Sequence, residues 1–209
     1  MSNHRQITFF HSPNTRSTGT HILLEELHAD YRMRVLDMKK NEQRGADYLA
    51  INPMGKVPAI QHGDALVTEQ VAIFIYLADL HPEAGLAPAL GDPLRGPYLR
   101  WMAFYGSCFE PALVDRALKR DPAPQSTSPY GDYDTVLKTV TDQLGRGDYF
   151  LGDRFSALDV LWGTALTWMT MFKLVPLSPV IAAYIERVNA RPAVARAKAK
   201  DAQLAASQG

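Results

Sequence analysis

Cysteine is nearly missing from this chain. Cys108 stands alone among 209 residues, which excludes an internal disulfide framework and suits a reducing compartment such as the cytoplasm. Charge of one sign is missing too. Lysine and arginine number 22 against 22 aspartates and glutamates, so no electrostatic footprint points to nucleic acid or to an anionic membrane. Long apolar runs are absent. The most apolar helical stretch, Val160 to Phe172, holds thirteen uncharged residues, short of the ~20 that a bilayer span requires. Met1 to Phe10 begins polar, with His4 and Arg5, and has no apolar segment of the kind a secretory leader needs. The six histidines show no ligand spacing such as H-x-x-x-H, and no glycine-rich phosphate loop is visible, so no metal is expected. No internal repeat is found. These absences leave a globular chain, expected in the cytoplasm, with neither membrane nor nucleic-acid partners.

What is present divides at the connector from His81 to Pro93. Ile7 to Phe10 is β-branched and aromatic and predicts a strand; His11-Ser12-Pro13-Asn14 is turn chemistry; Ser17 to His28 carries Leu23, Leu24 and Leu27 at helical spacing. Tyr31 to Leu36 alternates and predicts a strand with at least one buried face. Gln43 to Ala50 predicts a short helix. Ala59 to Gln61 and Leu66-Val67 flank Gly63-Asp64 as a tight hairpin, and Thr68 is expected to cap a helix in which Ile73, Tyr76, Leu77 and Leu80 share a face. The order is βαβαββα within about eighty residues.

Pro82, Gly85, Pro88, Gly91 and Pro93 punctuate a connector, and every periodic segment beyond it is helical. Tyr98, Trp101, Met102, Tyr105 and Phe109 form one stripe of a long helix that Pro111 should kink or end, since it has no N–H to give. A loop spans 121–128, and a further helix runs Tyr133 to Leu144. Ser156 and Asp159 form a capping-box variant at the head of a helix that is apolar nearly all round and so belongs at the centre of its domain. Pro179 to Asn189 and Pro192 to Ala206 give two last helices, the final one alanine-rich and expected to fray. The predicted fold class is α/β plus all-α. Its boundaries are 1–80 for the first domain, 81–92 for a linker and 93–209 for an all-helical second domain.

The most informative stretch runs from Asn52 to Leu80. Val57-Pro58 sits between the Met54-Gly55 turn and the apolar pair Ala59-Ile60, where a proline fits best as a fixed bend into a strand, the setting in which cis bonds occur, and is otherwise an ordinary edge-strand proline. Asn52-Pro53-Met54-Gly55-Lys56-Val57-Pro58-Ala59-Ile60 resembles the segment preceding the cis-proline in the thioredoxin-like domain of the cytosolic glutathione S-transferase family. Thr68-Glu69-Gln70-Val71-Ala72-Ile73 resembles that family's Glu-Ser-x-Ala-Ile box, with Gln70 in place of the usual serine. The Ser156 box resembles the capping motif of its helical domain.

The resemblance implies a set of roles. The backbone of Val57 at Pro58 would pair with the cysteinyl unit of glutathione. Glu69 would hold its ammonium, the N–H and amide of Gln70 its γ-glutamyl carboxylate, and Lys56 its glycyl carboxylate, with Lys39 a weaker candidate. Read alone, Glu69 is equally a helix-dipole carboxylate, and each lysine a solvated charge. For ionising the thiol, the tyrosine of one branch is absent at Phe9-Phe10, and the cysteine of another is absent from Asn14-Thr15-Arg16-Ser17. Ser-type and Thr/Asn-type bacterial members are what remain. Ser12 comes first as thiol donor, then Asn14, Thr15 and Ser17, although all four also suit turns and caps. Arg16 either stabilises a thiolate or acidic group or packs across the site. Tyr105, Cys108, Phe109 and Trp168, with Phe172, are candidates for an acceptor pocket, or are core.

The implied activity is that of a detoxifying transferase joining glutathione, as co-substrate, to a small hydrophobic electrophile. Its implied form is a homodimer with contacts through the third and fourth helices. Glutathione-dependent disulfide or peroxide reduction is an alternative, and a non-catalytic binding or interaction protein on the same scaffold is another.

Overall fold

Alternation and β-branching at the start of the chain build one sheet. In the computed structural model, which describes residues 5–121 and 123–208, β1 (Ile7–His11) runs parallel to β2 (Tyr31–Val35) and antiparallel to β3 (Ala59–His62). β3 turns through Gly63, at φ +58°, into antiparallel β4 (Ala65–Val67), giving the order β2-β1-β3-β4. A positive φ is what a tight hairpin asks of its turn, and glycine meets it without steric cost. Residues 1–4 of the stretch read as lacking a leader, Pro122 of the 121–128 loop, and residue 209 lie outside the described residues.

Three helices complete the expected βαβαββα order: α1 (Ser17–Glu26), the short α2 (Ala46–Leu49), preceded by a 3-10 turn at Glu42–Arg44, and α3 (Gln70–Leu80). Ile7, Phe9, Leu23, Ile60, Ile73, Phe74 and Leu77 are buried around the sheet. Two local expectations change. β2 has no fully buried face, because it is an edge strand with a single neighbour; its first buried apolar residue is Leu36, just past its end. α3 is not capped by Thr68: Glu69 occupies the N-cap position, without a side-chain cap bond.

Contacts divide the chain into two units, one formed by residues up to Gly85 together with Ala190 onward, the other by Leu86–Asn189. In the second, α4 (Arg95–Phe104) passes through a π turn at Tyr105–Phe109 into α5 (Glu110–Ala117). Pro111 explains that turn: it cannot donate back along an α ladder, and the helix widens by one residue ahead of it instead of stopping. α6 (Tyr133–Leu144) starts at Asp132, whose carboxylate accepts from the Thr135 N–H at 2.8 Å. α7 (Ala157–Met171) and α8 (Pro179–Asn189) follow.

The head of α7 is the electrostatic centre of this unit. The Asp159 carboxylate accepts from the Ser156 N–H (2.9 Å), the Ser156 hydroxyl (3.1 Å), the Phe150 N–H (3.0 Å) and the Tyr184 hydroxyl (3.0 Å). Burial nonetheless dominates and pushes its pKa up to about 6 against those four bonds. Behind it, Trp162 meets Phe109 and Phe150 with ring centroids at 4.7 and 4.8 Å, forming the aromatic core.

The last helix departs most from expectation. α9 (Pro192–Ser207) does not fray away from the rest and does not join the helical unit; it packs on α1. Ala193, Val194, Ala197 and Asp201 form its buried face, and bidentate Arg191–Glu26 (2.5 and 2.7 Å) and Arg196–Glu25 (2.7 Å) tie its flank to α1.

Candidate functional site

Three neighbouring strands release the chain at one end of the sheet. The last antiparallel pairs there are Phe10 with Ala59 and Ile60 with Val67. Two residues beyond those pairs, on β1, β3 and β4 respectively, lie Ser12, Val57 and Glu69. Residues separated by up to 57 positions in the sequence are thus delivered to a common rim by strand register alone.

On the β3 side, the Val57-Pro58 bond is cis, as expected. The segment ahead of it is anchored by two bonds to the Lys56 carbonyl, from the Tyr48 hydroxyl (2.6 Å) and the Asn52 amide (2.9 Å). Among the described residues, neither the N–H nor the C=O of Val57 has a hydrogen-bond partner. An unpaired main-chain donor and acceptor side by side can accept an added extended segment. Lys56 is exposed, while Lys39 reaches the Gln208 carbonyl at 3.4 Å.

On the β4 side, Glu69 is exposed with φ +62°, an uncommon backbone for a side chain with a Cβ. Its carbonyl accepts from the Ile73 N–H at 3.0 Å, which opens α3. Gln70 is the first residue of that helix, so its backbone N–H has no partner within the helix. Its side-chain amide donates to the Arg16 carbonyl at 3.1 Å, fastening the heads of α3 and α1, and its Oε1 is buried without a partner among the described residues. One amide hydrogen assigned to a ligand from sequence is therefore engaged elsewhere. Arg16 itself is exposed at the N-cap of α1.

After β1 the four thiol-donor candidates separate. Ser17 is buried, and its hydroxyl lies 2.8 Å from His11 Nδ1, 2.7 Å from Thr15 Oγ1 and 3.0 Å from the Ser12 carbonyl, while accepting from the Ser12 N–H at 3.1 Å. Thr15 Oγ1 lies 2.7 Å from the Ser12 carbonyl and accepts from the Ser17 N–H at 3.2 Å. Asn14 is exposed with φ +58°. The Ser12 hydroxyl has no hydrogen-bond partner among the described residues and is not among the fully enclosed unpaired atoms.

Sequence reading missed a buried cluster behind this loop. Asp201 of α9 accepts from His21 Nδ1 (2.9 Å) through Oδ1 and from the Thr18 hydroxyl (2.6 Å) through Oδ2; His11 Nε2 lies 3.1 Å from Oδ1, off the straight N–H axis. Burial alone would raise the Asp201 pKa, but the contacts with His11, His21 and Thr18 outweigh it and hold the carboxyl well below its usual range. Among the described residues His11, His21 and Asp201 are also grouped closely enough to hold a metal, with ligand atoms within 4.8 Å of one another. The 2.9 Å His21–Asp201 separation suits direct hydrogen bonding, and His11 Nε2 faces the same oxygen at 3.1 Å as a close polar contact. The available signal was the spacing Val194, Ala197, Asp201, which puts the acid on the apolar face of its helix.

Of the acceptor-pocket candidates, Tyr105 and Phe109 are 5% and 1% exposed and meet Trp162 edge-on and tilted respectively, so they belong to the core of the second unit. Cys108 and Trp168 are half-buried, and Trp168 meets the exposed Phe172 at 6.2 Å. Among the described residues no helix is long and apolar enough to cross a membrane.

Two family models match the chain: "Glutathione S-transferase, N-terminal domain" over residues 5–79 and "Glutathione S-transferase, C-terminal domain" over 130–187. A curated relative, glutathione S-transferase GstA of Escherichia coli O157:H7, is 32% identical, the match covering 88% of this chain and 94% of that one. The disulfide-bond oxidoreductase YfcG of Escherichia coli K12 is 26% identical, covering 95% and 96%. Among solved structures, a sphingomonad glutathione S-transferase complexed with glutathione is 31% identical with a TM-score of 0.77, covering 93% of this chain and 98% of that one.

Proposed function

The chain belongs to the glutathione S-transferase family, and we propose that it binds glutathione and promotes attack of the thiolate on a small hydrophobic electrophile. The observation that carries this reading is the free N–H and C=O pair of Val57, at the rim that Ser12 and Glu69 share. The cysteinyl unit of glutathione adds to Val57 as a short strand. Glu69 takes the ammonium, the Gln70 N–H at the head of α3 takes the γ-glutamyl carboxylate, and Lys56 takes the glycyl carboxylate.

The thiol donor in this reading is Ser12. Ser17 and Thr15 have their hydroxyls committed to each other, to His11 and to Ser12, whereas the Ser12 hydroxyl has no such commitment. A hydroxyl donor stabilises the thiolate over the thiol, whose ordinary pKa is ~8.5, and holding it beside the electrophile supplies the remainder of the rate. The protein works as a cytoplasmic homodimer that pairs through the exposed faces of α3 and α4.

Retention on immobilised glutathione, followed by an aryl-halide conjugation assay, tests this. Wild type is expected to be retained and Glu69→Ala to be lost from the resin. Ser12→Ala should bind with conjugation reduced by more than about tenfold. Equal retention of wild type and Glu69→Ala, or an unchanged rate in Ser12→Ala, overturns the assignment concerned. The YfcG likeness supports a second reading, reduction of disulfides at the same rim. Turnover of a mixed glutathione disulfide faster than of the aryl halide would favour it.

A further inference from the structure

The rim loop and the last helix are joined by a continuous line of polar atoms that crosses the interior of the first unit. It starts at Asp201 on α9, passes through His11 at the end of β1 to Ser17 at the head of α1, and ends at the backbone of Ser12. His11 and Ser17 are 0% exposed, and Asp201 and Ser12 are 5% and 2% exposed, so no bulk water competes for these contacts.

We propose that Asp201, acting through His11 and Ser17, is a positioning residue for Ser12, so that the last helix sets how well the Ser12 hydroxyl meets a bound thiol. This rests on the glutathione reading above for its consequence, though not for its geometry. The donor directions follow from counting hydrogens. A bare Nε2 lone pair facing a carboxylate oxygen at 3.1 Å would be repelled, so Nε2 carries the hydrogen and Nδ1 of a neutral His11 is an acceptor. Ser17 must then donate its one hydrogen to Nδ1, at 2.8 Å. Having given it, the Ser17 oxygen accepts from the Ser12 N–H and from the Thr15 hydroxyl, at 3.1 and 2.7 Å. Each lone pair on Ser17 is used, and the Ser12 amide is gripped from behind.

The opposite tautomer reverses this arrangement. With the hydrogen on Nδ1, Ser17 accepts from His11 and the Ser12 amide and turns its own hydrogen to Thr15, whose hydroxyl then donates to the Ser12 carbonyl at 2.7 Å. The hydroxyl hydrogens behind Ser12 run the other way, and its carbonyl gains the Thr15 donor that the first tautomer commits to Ser17. The ionised carboxyl of Asp201, kept charged by its hydrogen-bond donors, is what excludes that tautomer. Thr18 and His21, which hold the carboxylate at 2.6 and 2.9 Å, keep it aimed.

Two measurements test the relay. The first needs no ligand: the ring nitrogen-15 shifts of His11 in the wild-type protein are expected to report the Nε2–H tautomer. A Nδ1–H tautomer overturns the proposal even if glutathione never binds, whereas failure of wild type to bind glutathione overturns only the function reading. The second follows the ultraviolet absorbance of the bound thiolate against pH. Asp201→Asn is expected to raise the thiol pKa by about half a unit to one unit. Near-neutral turnover should fall about three- to tenfold while the KM for glutathione moves less than about twofold.

Arg191→Ala is the control. It loosens α9 at the Glu26 ion pair without touching the relay, so it should lower the melting temperature and leave the thiol pKa where it is. A thiol pKa unchanged in Asp201→Asn, or raised equally in Arg191→Ala, would show that the cluster only holds the helix down. If Asp201→Asn does not fold, Ser17→Ala removes the grip on Ser12 directly, and an unchanged thiol pKa in that variant overturns the proposal.

Discussion

Glu69 carries two burdens that a substitution can separate. Its φ of +62° puts a Cβ where the backbone disfavours one, and its carboxylate is the proposed ammonium partner. Glycine at this position would relieve the first and abolish the second. Glu69→Gly is therefore expected to stabilise the fold by about 0.5–1 kcal/mol in urea unfolding while losing retention on immobilised glutathione. Glu69→Ala should lose retention without that gain. A destabilised Glu69→Gly would mean that the backbone here is not strained. The charged side chain was readable in advance, through the resemblance to the family's acidic box; the unfavourable backbone beneath it was not. Local chemistry alone flagged Pro58, a proline at a strand entrance, while the roles of Val57 and Glu69 rested on that resemblance. Ser12 was named from its offset past β1, but its separation from Thr15 and Ser17 depends on where each hydroxyl points. That information exists only once His11 is seen beneath them.

Helices in the second unit were legible where a 3.6-residue period met a cap, as at Asp132 and Ser156. Their spacing from one another was not. Gly163 of α7 shows why: a Cβ there would sit 2.5 Å from Val188 Cγ1 and 2.9 Å from Val188 Cβ. Because the Val188 Cβ itself is in the way, no rotamer of that side chain clears the clash, and α7 and α8 must part. Gly163→Ala is expected to cost about 1–3 kcal/mol by equilibrium unfolding. Adding Val188→Ala should recover part of that loss, giving a non-additive double-mutant cycle. Strict additivity would argue against close approach at this point. The same physics hid the destination of α9. Ala193, Val194 and Ala197 bury little area and look marginal in a sequence, yet small side chains let α9 come close to α1. Its polar member, Asp201, reads as surface until two histidines far away in sequence are brought to it by β1 and α1.

At the scale of the whole chain, the buried carboxyls Asp201 in the first unit and Asp159 in the second respond to acid in opposite directions. Asp201, in the first unit, is held below its ordinary value of 3.8: burial opposes this, and the bonds from His11, His21 and Thr18 override it. A carboxyl depressed by folding adds stability that is present above about pH 4 and lost as pH falls through its folded value. Asp159, in the second unit, is raised by burial from 3.8 to about 6. Its sign is reversed: the native state binds the proton more tightly, so its contribution is full below about pH 4 and lost as pH rises through 6. That difference is worth roughly 2–3 kcal/mol. Three other carboxyls in each unit, Glu25, Asp37 and Glu83 in the first and Asp92, Asp115 and Asp132 in the second, are also held low and act alike on both. The imbalance therefore rests on Asp201 and Asp159. On lowering pH from 7 to about 4, amide-exchange protection, corrected for the intrinsic rate, is expected to rise in α7 and α8 and to hold in β1, α1 and α9; below about pH 4 it falls first in β1, α1 and α9. Asp159→Asn should remove the pH dependence of the second unit between about 4 and 6, leaving the acid sensitivity of the first intact. Simultaneous loss of protection in both units, or a second unit equally pH-dependent in Asp159→Asn, would show that neither buried carboxyl governs the response to acid.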